Sequence, residues 1–496
     1  MRLAASLLLA AITVASPHRV LAQGAAPSPI APLSAEQLQS IDSFVAAELA
    51  HQHIPGLAVG IYSRGTILLA RGYGQANIEL SVPVKPETIF QSGSVGKQFV
   101  SAAIMMLVEE GKLLLDDSIT RYFPQAPPTW KPIRIKNLLS HTSGLAEYES
   151  DERTGPKGPF YLRLDYTEAQ LVTKIEALPI EFRPGEKWDY RNTNYVLLGA
   201  IIRKITGKPY AEFLDERIFK PLGMTSTRLI SERDIIPNRA AGYELKDGQL
   251  KNQEWVSPAF NSTADGALYF NVLDLAKWDE ALYGTRLLQQ SSLDRIWTVY
   301  PLNNGKPNPG DYGFAWEIGK QNGHKIIHHD GAWQGFTCDI SRYPDDSLSV
   351  VVLTNLDSGH SDPSLISHVI AGLVLPPLLP AKLTAISDTE PSIAATLAKV
   401  LDNISAGDDF RSQTTPALAA LLTAESRKMA QHSLAPLWPG GTLTLVKRAP
   451  DPDTPGQIVS TFRLTKGPQT RLISFSLTHD GKIAELESSP DRDYDE

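Results

Sequence analysis

Cysteine is almost absent from this 496-residue sequence: Cys338 stands alone, so no internal disulfide is available and the core must hold the fold. On a strand pattern, Cys338 reads as core filling. Long apolar runs are missing too. A bilayer-crossing helix needs about 20 apolar residues, and the nearest approach, Leu3 to Ala15, is shorter, with no comparable run later. Positive charge is also in deficit. With 47 Lys and Arg against 55 Asp and Glu, the net charge is -8 at pH 7. That removes the basic footprint which phosphate backbones and anionic lipids select, and so excludes nucleic acid as a partner class. There is no internal repeat and no low-complexity tract. What remains is 42% apolar and 21% charged, ordinary globular composition. The length exceeds what one core usually serves, which predicts two domains or one large domain with an appendage.

The N-terminus carries Arg2, the apolar stretch to Ala15, and then Val20-Leu21-Ala22, small residues placed for a signal peptidase. Residues 1–22 are therefore expected to be a signal peptide cut after Ala22. The chain is expected to be exported to the periplasm or medium, without a lipid anchor or stable membrane span. Ser34 and Gln37 form a capping box opening a helix to about Leu49. Leu57–Tyr62 and Thr66–Gly72 flank Ser63-Arg64-Gly65 as a hairpin. Ser94–Glu110 has helical spacing with Gly111 as its stop, and helical patterns dominate from about Asp116 to Gly284. Strand patterns return at Lys325–His328, Thr337–Tyr343 and Leu348–Thr354, followed by a helix near Leu365–Leu375. A sheet built from both ends of this segment around a helical insert follows. Pro376, Pro377 and Pro380 then interrupt the chain. Beyond them come helices from about Pro391 to Leu434 and strands near Leu443, Ile458 and Leu472, a second domain placed at 385–496.

Chemistry concentrates at Ser94-Val95-Gly96-Lys97. Residues i and i+3 share a helix face, which returns the lysine amine beside the serine hydroxyl. The first turn of a helix also offers free N–H groups and a positive dipole end to a developing oxyanion. An arbitrary Ser-x-x-Lys is usually a cap followed by a surface lysine, but this spacing occurs nowhere else in the chain. A lysine base must be neutral, so its usual pKa of about 10.4 has to fall by roughly three units. A phenol and an amide would assist it, and Tyr190-Arg191-Asn192 supplies both. Tyr269-Phe270-Asn271 has the same spacing, but Asn271 directly precedes a helical pattern and reads as its cap. A third element, His329-Asp330-Gly331, has rivals in Lys246-Asp247-Gly248 and His479-Asp480-Gly481, for which hairpin turns suffice.

In this order the three elements resemble the β-lactamase-related serine hydrolases, which include class C β-lactamases, D-alanyl-D-alanine carboxypeptidases, D-aminopeptidases and esterases. The likeness extends to Leu138-Leu139-Ser140-His141-Thr142-Ser143-Gly144-Leu145, Pro221-Leu222-Gly223-Met224, Asp274-Leu275-Ala276 and Gly335-Phe336, and covers about Ile41 to Leu375. It implies an α+β fold, an antiparallel sheet flanked by helices with an all-helical lobe, within a hydrolase domain at 23–378. The C-terminal segment resembles the small α+β appendages of some members. The resemblance also implies Ser94 as acylated nucleophile, Lys97 and Tyr190 as coupled base and acid, and Asn192 as a contact of Lys97 and substrate. His329 would orient Tyr190 or substrate, and the N–H groups of Ser94 and Ala332, the residue after Gly331, would form the oxyanion hole.

Where β-lactamases usually carry Thr or Ser to bind a substrate carboxylate, this chain has Asp330, and His329 replaces their usual Lys. An ester or amide without a nearby carboxylate is therefore expected to be a better substrate than a β-lactam. The partner class is a small molecule or short peptide. Three other readings are weaker. Gly359-His360-Ser361-Asp362-Pro363 lacks the last glycine of a nucleophile elbow. His51 and His53 lack a third ligand and fall on different faces of a helix, so no metal or cofactor is expected. A non-catalytic sensor binding peptidoglycan or β-lactam on the same fold would have no need of the full set Ser94, Lys97, Tyr190 and Asn192. His141 reads as part of a buried, hydrogen-bonded turn.

Overall fold

The computed structural model describes residues 28–496 except 247, 452, 453, 455, 468, 492, 493, 495 and 496. The expected signal peptide lies outside the described residues. Helix α1 (Ala35–His51) opens on the Ser34–Gln37 capping box. It leads into β1 (Gly56–Ser63) and β2 (Thr66–Asn77), joined by Arg64 and Gly65, both with positive φ. That is the two-residue turn whose twist matches the strands it connects. After a short β3 (Val82–Pro83) the chain leaves the sheet, returning as β4 (Glu317–Gln321), β5 (His324–Trp333), β6 (Phe336–Tyr343) and β7 (Leu348–Thr354). The order is β3-β2-β1-β7-β6-β5-β4, antiparallel throughout. The junction of the two halves is the β1–β7 pairing, Leu57 opposite Thr354 and Val59 opposite Val352.

Strands β1, β6 and β7 are buried along their whole length because helices cover both faces. Alternation divides their side chains between two cores. Leu57, Val59, Ile61, Val350 and Val352 pack with Ile41 and Val45 of α1 and with Ile366 and Ile370 of α5 (Pro363–Val374). Ala58, Tyr62, Val351 and Leu353 face the opposite core, shared with Phe99 of α2 (Lys97–Glu109) and Trp278 of α4 (Val272–Ala281). Asp279 of α4, fully buried, ties that helix to the sheet. It accepts from Arg342 Nε at 2.9 Å, Ser349 Oγ at 2.6 Å and the Gly65 N–H at 2.9 Å. The helical insert includes α3 (Asn192–Thr206), which ends at Gly207 with φ 74°. Its Tyr195, Leu198 and Ile201 are buried in the same core as α2.

Past Pro376, α6 (Pro391–Ala406) and the antiparallel sheet β8 (Thr442–Pro450), β9 (Ile458–Lys466), β10 (Gln469–Leu477) and β11 (Ile483–Pro490) share a separate core. Leu397, Val400, Leu401 and Ile404 there meet Phe462, Leu464, Ile473 and Phe475. Among the described residues no helix is long and apolar enough to cross a membrane.

Candidate active site

Ser94 does not open an α-helix, as the sequence pattern suggested, and it does not cap one. It lies in a 3-10 turn, Gly93–Gly96, that runs directly into α2. With three residues per turn, positions i and i+3 eclipse, so Lys97 stands squarely over Ser94. Lys97 Nζ lies 2.8 Å from Ser94 Oγ and 2.8 Å from Asn192 Oδ1, and it also meets the Asp265 carbonyl. An ammonium would donate to all three. A neutral amine donates to the two carbonyl oxygens and offers its lone pair to the Ser94 hydroxyl, which is the arrangement of a general base. Burial favours the neutral form: Lys97 is fully enclosed, and desolvation pushes its pKa down to about 8 against the opposing pull of Asp265, Glu149 and Glu147.

Those three acids were not anticipated. Glu147 accepts from the Asn192 N–H and, at 2.9 Å, from the Glu149 N–H. Glu149 Oε2 accepts from Asn192 Nδ2 at 2.7 Å, and Asp265 Oδ2 accepts from the Tyr148 hydroxyl at 2.7 Å. Burial pushes the carboxyls of Glu147 and Glu149 above the usual range. Asn192, the first residue of α3, is thus fixed from both ends, its amide turned so that the oxygen meets Lys97. A hint lay in the loop 146–161, which contains both glutamates; nothing local marks Asp265.

The structure brings Tyr190 to the same place. Its ring centroid lies 5.0 Å from Lys97 Nζ and 4.2 Å from that of the buried His141 ring. The phenol is buried and makes no well-formed hydrogen bond. Burial pushes its pKa well above the usual value, with the nearby Ser94 hydroxyl pulling the other way. It is therefore a neutral O–H, ready to donate. His141, at φ 57°, is the buried turn residue expected, its Nδ1 accepting from the Arg191 N–H at 3.1 Å. His329 is buried as well, but it does not hydrogen-bond Tyr190. Its Nδ1 donates to the Asp330 carbonyl and its Nε2 accepts from the Tyr312 hydroxyl at 2.8 Å. Tyr312 in turn packs edge-on against Tyr190 with centroids 6.1 Å apart. Desolvation pushes the His329 pKa down to about 3, so the imidazole is neutral.

Strand β5 runs on through Asp330 to Trp333, and alternation along it decides which side chains face the cleft. His329 and Gly331 face the Ser94 turn. Asp330 falls on the other face, its side chain 64% exposed. Its charge acts on the cleft through space rather than by contact, whereas Glu149 and Asp265 line the cleft directly. Beneath Ser94 three glycines cross. A Cβ on Gly331 would sit 2.4 Å from the Ser92 carbonyl oxygen and 2.8 Å from Ser94 N. One on Gly93 would sit 2.4 Å from Ala332 N, and one on Gly266 2.4 Å from the Gly93 oxygen. Side chains are therefore excluded, and the Ser94 and Ala332 backbone segments lie against each other. Tyr148, Phe260 and Trp333 wall a cleft above them. Trp333 is held by its indole N–H on Asn261 Oδ1 at 2.7 Å.

The rival motifs lie elsewhere. Asn271 caps α4, accepting from the Asp274 N–H at 2.9 Å. Lys246 and Gly248 belong to a hairpin connection, and His479-Asp480-Gly481 to the β10–β11 turn. Cys338 is fully buried on β6.

An antiparallel sheet sandwiched by helices, with Ser-x-x-Lys at its junction with a helical lobe, is the architecture of penicillin-binding-protein-like serine hydrolases. The family profile described as Beta-lactamase matches residues 41–374, and the chain belongs to that family. It is 31% identical over 311 residues to Penicillin-binding protein 4* of Bacillus subtilis (strain 168), spanning 59% of this chain and 66% of that protein. Among solved structures, the octameric penicillin-binding protein homologue from Pyrococcus abyssi aligns with TM-score 0.61 at 23% identity, over 92% of this chain and 98% of the other. A D-stereospecific amidohydrolase from Streptomyces sp. aligns with TM-score 0.57 at 24% identity, over 69% and 99%.

Proposed function

We propose that this chain is an exported serine hydrolase that acts through a Ser94 acyl-enzyme on an ester or amide whose acyl side is neutral or cationic near the reacting carbonyl. The observation that carries the reading is the enclosed Lys97 amine, 2.8 Å from Ser94 Oγ and with its pKa pushed down to about 8. In the reaction, Ser94 Oγ bonds to the carbonyl carbon as its proton passes to Lys97. The N–H groups of Ser94 and Ala332 hold the oxyanion. Tyr190 then protonates the leaving alcohol or amine, and water later releases the acid by the reverse relay. Asp265 at the cleft supports a preference against substrates with an adjacent carboxylate. The D-stereospecific amidohydrolase among the structural neighbours makes D-amino-acid amides the amide class to try first. The signal-like residues 1–22 support export, and the separate core beyond Pro376 supports an accessory unit at 385–496.

Intact-mass spectrometry after a fluorophosphonate or chromogenic-ester pulse tests the mechanism. Expected is one adduct on Ser94, absent in S94A, and steady release of product. Folded protein that is neither labelled nor active would overturn the mechanism in favour of a binding module. A panel of p-nitrophenyl ester, D-amino-acid amide and penicillin tests the substrate class, and penicillin turnover matching the best ester would overturn that part.

A further inference from the structure

The opposite face of β5 holds a second constellation, independent of the acyl chemistry. His328 of β5 and Asp339 of β6 lie diagonally across the strand pair, and His368 of α5 comes down on them. One side-chain donor atom from each lies within 4.8 Å of the other two. Both imidazoles present a buried nitrogen without a hydrogen-bond partner, Nδ1 of His328 and Nε2 of His368, and the rings meet edge to face at 5.6 Å. Asp339 is 1% exposed and, among the described residues, no cationic side chain pairs with it. It takes hydroxyl bonds from Ser341 at 2.6 Å, Ser367 at 2.5 Å and Ser364 at 3.1 Å. Buried polar nitrogens without partners are rare, and two imidazoles that each carry one, beside a buried carboxyl without a cationic partner, are a pattern that a bound cation satisfies.

We propose that His328, Asp339 and His368 bind a divalent zinc-like ion that fastens α5 to strands β5 and β6. Three atoms all within 4.8 Å of one another lie no more than about 2.8 Å from a common centre, so each has to close by less than about 1 Å to reach a zinc bond of about 2.0–2.2 Å. Two imidazoles and one carboxylate suit zinc, whereas calcium and magnesium prefer all-oxygen sets. The outer shell is in place: serine hydroxyls orient the carboxylate, and His328 Nε2 faces Glu317 Oε2 at 3.6 Å. The His328 side chain is 21% exposed, which leaves an entry path. Because His328 and His368 are 40 positions apart, no local spacing in the sequence announces the site. Since it sits one residue from His329 on the strand that floors the cleft, its role is to stiffen that strand, not to take part in bond making.

The full chain, stripped with chelator and dialysed, is titrated with zinc chloride and separately with cobalt chloride. Expected are one retained zinc per chain, a tetrahedral Co²⁺ absorption band displaced by zinc, and a melting temperature that rises with free zinc. At a free concentration 100-fold above Kd the folding equilibrium should shift about 100-fold. H368Q should lose the band and the melting shift while keeping Ser94 labelling. Failure of wild type to retain stoichiometric zinc, or equal retention by H368Q, would overturn the proposal. Should H368Q not fold, the wild-type stoichiometry and cobalt spectrum decide alone.

Discussion

Replacing Lys97 with Met tests the central electrostatic argument without any knowledge of the substrate. In the folded chain burial pushes the Lys97 pKa down from an ordinary 10.5 to about 8. Below pH 8 the folded state therefore carries a penalty for holding a proton there. That displacement is worth roughly 3 kcal/mol. Between pH 8 and 10.5 the unfolded chain holds the proton and the folded chain does not, so wild-type stability rises with pH as the penalty disappears. Met cannot titrate and shows none of this. The lost contacts to Asn192 and Asp265 add a constant offset, whereas the pH-dependent part reports the amine together with Glu147 and Glu149, whose carboxyls the Lys97 charge pulls down. Urea unfolding followed by tryptophan fluorescence at pH 7, 8, 9 and 10 is the assay. Wild type should gain on K97M by about 2–3 kcal/mol between pH 7 and pH 10. The same pKa predicts that kcat/KM on a neutral ester climbs about tenfold per pH unit below 7 and levels above 9. Parallel stability curves for the two proteins would refute the reasoning, because Lys97 would then titrate alike folded and unfolded and could not be a neutral base near pH 7.

Three further substitutions address the surroundings. Y190F should retain the fold and Ser94 labelling yet lower turnover by ~10²–10⁴, measured as steady-state kcat on an ester. G331A forces a Cβ to within 2.4 Å of the Ser92 oxygen, so it should cost roughly 1–3 kcal/mol in thermal unfolding and depress acylation more than binding. D279A strands the Arg342 guanidinium, 1% exposed, in the core, and should lower stability by about 3–5 kcal/mol in urea titration while leaving KM unchanged.

The parts of the site visible in the sequence are those joined by short spacing. Ser94 and Lys97 are three residues apart, and Tyr190 and Asn192 two apart at the start of a helix. The hairpin at Arg64-Gly65 and the capping box at Ser34 were equally local. Glu149 and Asp265 escaped because they reach Asn192 and Lys97 from 43 and 168 positions away, and only the folded loops bring them together. The orientation of Asp330 was not legible for a different reason. The pattern ended its strand at His328, whereas pairing with β6 carries it to Trp333, and two more residues of alternation turn Asp330 away from the cleft. Tyr312, the true partner of His329, lies outside any strand or motif and left no mark.

The crossing of Gly93, Gly266 and Gly331 has a consequence for how this protein can diversify. A floor made only of main chain offers selection nothing to vary, so it behaves as a fixed part across any lineage that keeps the chemistry. The walls are different: Tyr148, Phe260 and Trp333 come from three distant parts of the chain yet brace one another, Tyr148 stacking on Phe260 and Trp333 bonding to Asn261 beside it. New substrate ranges should therefore arise by concerted replacement of these side chains over an unaltered base.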